Sequence, residues 1–75
     1  MTFNEKIVKL ENTVRQIRAA SSVIREGQAY FNAIDTIDRP LANELRGTKL
    51  DPFYDDTKKD AFIEYVHNYW YSQGD

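Results

Sequence analysis

Cysteine is absent from the sequence, which excludes disulfides and thiolate metal sites. A single histidine leaves no basis for a structural zinc site. Only three glycines and two prolines interrupt the chain, and hydrophobic residues make up 41%, so the composition is that of a folded protein rather than a disordered one. No apolar run approaches the ~20 residues needed to span a bilayer. The opening Met1-Thr2-Phe3-Asn4-Glu5-Lys6 sets charges inside what would be a signal peptide's apolar core. The expectation is a membrane-free, cytoplasmic chain. At 75 residues it forms one domain, 1–75, near the lower limit for a self-sufficient core. Without disulfides or metal, either unusually good helical packing or self-association must supply the missing stability.

What the chain does have is an apolar repeat. Phe3, Ile7, Leu10, Val14, Ile17, Ile24 and Phe31 alternate three and four apart, which predicts a long helix with one narrow seam. Thr2 with Glu5 three residues later fits a capping box at its start. Glu5–Lys9 and Glu11–Arg15 are i,i+4 pairs in the favourable order. Beyond Gly27 the stripe shifts to Tyr30, Ile34, Ile37 and Leu41, and the favoured reading is one helix that continues to about Ile37 with a rotated or bent face, the alternative being two helices that meet at Gly27. Ser21 and Gln28 occupy seam positions, where they either set a register or mark the end of the buried seam.

Asp38-Arg39-Pro40 is a break and restart, with Asp38 as cap and Pro40 in the first turn of a short helix carrying Leu41 and Leu45. Gly47 ends that helix. Thr48 to Asp55 is a loop with a turn at Asp51-Pro52 and Leu50, Phe53 and Tyr54 as candidate anchors. The last helix starts at Asp55, Asp56 or Thr57 and runs to about Tyr71, with Ala61, Phe62, Tyr65, Val66, Tyr69 and Trp70 on a broad apolar face and Ile63 at its edge. The fold class is all-α: a long N-terminal helix, a short middle helix and an aromatic-rich C-terminal helix folded back as a helical hairpin.

A helix from Phe3 to Ile37 would be ~50 Å long, whereas the later helices together reach only ~35 Å. On that reckoning part of the seam stays open in a monomer. A homo-oligomer, dimeric or higher, is expected to bury it through Phe3, Ile7, Leu10, Val14 and Ile17. A second candidate surface is aromatic and acidic. Seven of the ten aromatics lie between Phe53 and Tyr71, more than one helix face buries in so small a fold, and Tyr54, Trp70 and Tyr71 are the ones expected at the surface. Asp51, Asp55, Asp56 and Asp60 cluster at the start of the last helix, without the oxygen-ligand spacing or central glycine of a calcium loop. Asp56, Asp60 and Glu64 stand at successive i+4 steps and repel, so that face is exposed. These acids either cap and solvate the helix or meet a basic partner. The candidate partner surface is thus Tyr54, Asp56, Asp60, Glu64, Trp70 and Tyr71.

Catalysis finds little support. No serine–histidine–acid arrangement and no glycine-rich phosphate loop is present, so no enzyme and no cofactor is expected. His67 reads as a solvated or capping residue. Lys6, Lys9, Arg15, Arg18 and Arg25 form a basic face too interrupted by Glu5, Glu11 and Glu26 for a nucleic-acid stripe. The charge balance runs from five basic and three acidic residues in Met1–Gly27 to three basic and six acidic in Thr48–Asp75, which favours docking of the two ends. The leading expectation is a non-enzymatic protein–protein interaction module. A small-ligand binder with an aromatic inter-subunit pocket near Tyr30, Tyr65 and Tyr69 is the alternative, and an accessory nucleic-acid binder a third.

Arg39-Pro40-Leu41-Ala42, Leu45-Arg46-Gly47-Thr48 and Asp51-Pro52-Phe53-Tyr54-Asp55-Asp56 together resemble short accessory proteins of tailed phages, compact cysteine-free chains that end in an aromatic helix. The resemblance covers about a quarter of the chain. It implies no activity and no site residue. What it implies is a factor that binds and redirects one host protein in the host cytoplasm.

Overall fold

The computed structural model describes residues 1–74. Four α-helices follow in order: α1 (Phe3–Ala20), α2 (Glu26–Ile37), α3 (Arg39–Leu45) and α4 (Lys59–Ser72), the last preceded by one 3₁₀ turn at Asp56–Lys58. α2 packs on α1, α3 on α2, and α4 touches both α1 and α2. Phe31, Ile34, Leu41, Phe62, Val66 and Trp70 meet Leu10 and Val14 in one core.

The capping box forms at the start of α1. Thr2 Oγ1 accepts from the Glu5 amide at 3.1 Å, and Glu5 accepts from the Thr2 amide at 2.9 Å. The Thr2 bonds hold the Glu5 carboxyl below its usual value. Glu11 turns to Tyr30 and Arg15 to Asn12, so neither expected i,i+4 pair forms.

The long helix does not continue to Ile37. Its ~50 Å would exceed the 35 Å longest dimension of the molecule. α1 stops at Ala20 and Ser21 caps it in an extended conformation, its amide donating to the Ile17 carbonyl at 3.1 Å. Serines compete for backbone hydrogen bonds and β-branched residues are stiff, so Ser21-Ser22-Val23-Ile24 is a weak helical run. The break lies upstream of Gly27, which sits inside the first turn of α2. Arg25 precedes that helix with no side-chain cap of its own. Asp56, 29 residues further on, supplies it: Asp56 Oδ1 accepts from the Gly27 amide at 2.9 Å and lies 3.8 Å from Arg25 Nε. Arg25 also donates to the Phe53 carbonyl. A far segment of the chain thus completes the N-terminus of α2.

With the chain folded back at Ser21–Arg25, the seam is covered from within. Leu10 is 0% and Val14 6% exposed, and Phe3, Ile7 and Ile17 are half-buried against the core. The expectation of an open seam in a single chain is corrected, and with it goes the ground for an oligomer interface at Phe3, Ile7, Leu10, Val14 and Ile17.

The local signals downstream hold. Asp38 Oδ1 accepts from the Leu41 amide at 3.3 Å, capping α3, and Pro40 lies in the first turn. Gly47 closes α3 at φ 75°, a conformation open to glycine. Asp51 accepts from the Gly47 and Phe53 amides at 2.7 and 2.9 Å, which sets the turn before α4. The loop anchor is Pro52, fully buried against Gly27, with Leu50 and Phe53 half-buried. Tyr54 anchors nothing and is 85% exposed. Asp55 caps the 3₁₀ turn by accepting from the Thr57 hydroxyl and amide, which holds its carboxyl below the usual value.

Trp70 also departs from expectation. It is fully buried, its indole N–H donating to Asp38 Oδ2 at 2.9 Å and Lys6 lying 5.8 Å over the ring. Asp38 therefore joins two elements, capping α3 with one oxygen and holding α4 with the other. His67 is neither solvated nor a cap. It is half-buried, edge-on to Phe3 at 6.3 Å, with Nε2 enclosed and without a hydrogen-bond partner among the described residues.

Candidate functional site

α4 is oriented by Phe62, Val66 and Trp70, which fall at i, i+4 and i+8 and are all fully buried. That stripe turns Ala61, Glu64, Tyr65, Asn68 and Ser72 outward. Two shallow recesses lie on this outer side. One, of about 260 Å³, is lined by Leu50, Ala61, Glu64, Tyr65 and Asn68. The other, of about 340 Å³, is lined by Tyr65, Asn68, Tyr69 and Ser72. They share Tyr65 and Asn68 and so form one strip, which runs ~16 Å along the helix from Ala61 to Ser72. At its centre the rings of Tyr65 and Tyr69 stack nearly parallel, 12° apart in plane with centroids 6.4 Å apart. Asp60, 94% exposed, and Glu64 stand at its N-terminal end.

The six residues expected to form a partner surface do not form one. Asp60 and Glu64 border the strip. Tyr71 is exposed but leans edge-on to Phe3 at 5.5 Å. Tyr54 lies beyond the other end of α4, 4.8 Å from Phe53, in a separate recess with Phe31, Arg46, Gly47 and Asp51. Asp56 is engaged by Gly27 and Arg25, and Trp70 is inside. Tyr65, Asn68 and Ser72 are what the sequence reading missed as surface residues. The spacing Phe62–Val66–Trp70 carries the signal for them, because a buried i, i+4, i+8 stripe forces Tyr65 and Asn68 to the opposite side.

Nor does Tyr30 join Tyr65 and Tyr69. Its hydroxyl donates to both Glu11 oxygens, at 2.9 and 3.2 Å. Around it Glu26 binds Lys59 and lies 3.5 Å from Arg18, and Lys59 sits 6.0 Å over the Tyr30 ring. This lattice ties α1, α2 and α4 together. It also takes up Arg18 on α1, as Asp56 takes up Arg25 ahead of α2, so two of the five residues of the expected basic face are engaged internally. Lys59 holds the Glu26 carboxyl below its usual value, and Glu26 raises Lys59 in turn.

Burial, and then the hydrogen bond to Glu11, push Tyr30 up to about 12. A raised folded-state value favours the protonated form, so this contribution to stability is full below the ordinary value of 10.0 and is lost as the pH rises through about 12. In an alkaline titration followed by tyrosinate absorbance, one tyrosine equivalent is expected to ionise near pH 12. That equivalent disappears in Tyr30→Phe. If the variant leaves the high-pH limb unchanged, the Tyr30–Glu11 bond is not formed in solution.

No helix among the described residues is long and apolar enough to cross a membrane. No family model matches the chain, and no curated protein or solved structure shows significant similarity to it.

Proposed function

We propose that this chain is a non-enzymatic protein-binding module and that the outer side of α4 is its docking strip. The observation that carries this reading is the stacked pair of exposed Tyr65 and half-buried Tyr69, at the centre of a strip whose other lining residues, Leu50 apart, are small or polar. Tyrosine brings a large rigid contact area with few torsions to immobilise, and small neighbours let a partner backbone approach. Tyrosine is also among the residues that dominate binding energy at interfaces. The resemblance to tailed-phage accessory proteins supports the same class of action, on one host protein.

The size of the strip narrows the partner. A patch about 16 Å by 10 Å is several-fold smaller than the ~800 Å² per side of a standard stable interface. It suits a short segment of another protein better than a globular face or a second copy of this chain.

A photo-crosslinking residue at position 68, compared with one at position 44 on the exposed side of α3, tests this in cells that contain the partner. Adducts are expected from position 68 alone, and Tyr65→Ala combined with Tyr69→Ala should reduce them by an order of magnitude or more. Tyr65 is 39% exposed, but Tyr69 is half-buried against the core, so the Tm of the double variant is measured alongside the crosslinking to show that it remains folded. Identical adducts from both positions, or none from position 68, would overturn the assignment of the strip.

A further inference from the structure

We infer that the α4 strip takes a basic segment of its partner, with an arginine or lysine side chain seated on the Tyr65–Tyr69 rings against Glu64. The inference rests on reading the strip as a protein-binding surface, and it comes from asking where each carboxylate of the molecule finds its counterpart.

Most are satisfied internally. Glu5 is in the capping box, Glu11 accepts from Tyr30, and Glu26 binds Lys59 and Arg18. Asp35 pairs with Arg39 and Arg46, each at 3.5 Å. Asp38, Asp51, Asp55 and Asp56 all accept from backbone amides. Asp60, Glu64 and Glu44 on α3 differ, and of these Glu64 lines the recess that holds Tyr65. Asp60 has only Lys59, at 3.8 Å, and Lys59 is turned to Glu26. Glu64 has no ion pair or hydrogen bond among the described residues. Residues 60–74 contain no lysine or arginine, so beyond Lys59 at its first position α4 carries no lysine or arginine to offset the strip.

The molecule itself shows what such a pairing holds. Arg46 sits 4.9 Å over the Phe31 ring while bonding Asp35, and Lys59 sits over Tyr30 while bonding Glu26. In both cases a cation is shared between an aromatic face and a carboxylate. Tyr65 beside Glu64 repeats that combination, exposed and without a cation. Ring faces attract cations through their quadrupole. Arginine fits best, because its planar guanidinium stacks on the ring and presents paired donors to the carboxylate. Phosphate-bearing partners, whether nucleic acid or anionic lipid, are repelled by the same two acids.

The test is an NMR titration of the full chain with three seven-residue peptides that alternate alanine with arginine, glutamine or glutamate. Amide shifts at Tyr65, Asn68 and Tyr69 are expected with the arginine peptide only. Its Kd should weaken roughly tenfold in Glu64→Gln and again in Tyr65→Ala, with Tyr65→Phe close to wild type. Glu44→Gln removes the same charge from α3 and should leave the site-specific shifts and Kd unchanged. An equal loss in Glu44→Gln would reduce the effect to the overall charge of the molecule and overturn the inference. Binding of the glutamine or glutamate peptide at these residues would also overturn it, while leaving the protein-binding reading in place. If no peptide shifts the strip but position 68 still crosslinks, the basic partner falls and the docking surface stands. If neither occurs, both fall.

Discussion

Gly27→Ala is expected to destabilise the protein by about 2–4 kcal/mol, lowering Tm by about 10–20 °C. A Cβ at Gly27 would stand 2.5 Å from the Pro52 carbonyl oxygen, 2.8 Å from Asp56 Oδ1 and 3.1 Å from Pro52 Cβ. Two of these are backbone or ring atoms of a buried proline that cannot swing aside. The third belongs to the carboxylate that completes the N-terminus of α2. The substitution therefore pushes the 52–56 segment off α2 and weakens the Asp56–Gly27 bond at the same time. Helix propensity alone predicts the opposite sign, since alanine is favoured over glycine in a helix by about 1 kcal/mol. Thermal or urea denaturation of the one variant decides between them. A raised Tm would mean that Pro52 and Asp56 do not dock on the start of α2.

Asp38→Ala is expected to cost about 2–3 kcal/mol although Asp38 is only half-buried. About 1 kcal/mol is the lost cap on α3. A further ~1–2 kcal/mol comes from leaving the Trp70 indole N–H enclosed without an acceptor. Trp70→Phe removes the same bond from the other side and leaves unfilled space, for about 1.5–3 kcal/mol. In a double-mutant cycle the two should couple by about 1 kcal/mol, because either change alone already breaks the Trp70–Asp38 bond. Trp70 is the sole tryptophan, so its fluorescence reports the site directly. Wild-type emission should be that of an enclosed indole, shifting to the red on unfolding. Additive costs with no coupling would show that the indole is held by packing alone.

These two sites also show where sequence reasoning ends. The capping box at Thr2 and Glu5, the Asp38-Arg39-Pro40 restart, Gly47 and the Asp55 cap are made by residues within a few positions of each other. Their signals are local and readable. The break at Ser21–Arg25 is not, because no glycine or proline marks it and its stabilising partner, Asp56, is 29 residues away from Gly27. Taking Gly27 as a propensity cost or a helix end missed that it is the gap into which Pro52 fits. The count of surplus aromatics failed at Trp70 for a similar reason. A buried tryptophan needs an acceptor, and the acceptor is the second oxygen of a cap that lies 32 residues earlier. Of the candidate surface, Asp60 and Glu64 were legible as an exposed acidic step. Tyr65 was hidden by being grouped with the buried aromatics rather than set against the Phe62–Val66–Trp70 stripe.

The chain doubles back between α1 and α2, covering its own seam and leaving the outer side of α4 exposed. The absence of native cysteine makes a direct distance measurement simple. Spin labels at Val8→Cys and Thr36→Cys, both exposed positions, would lie ~42 Å apart on a continuous helix. The folded-back chain, whose longest dimension is 35 Å, requires a distance well below that value. A single short distance from pulsed electron–electron resonance is the predicted result. A distribution centred near ~42 Å would contradict the account and return the N-terminal seam to the surface.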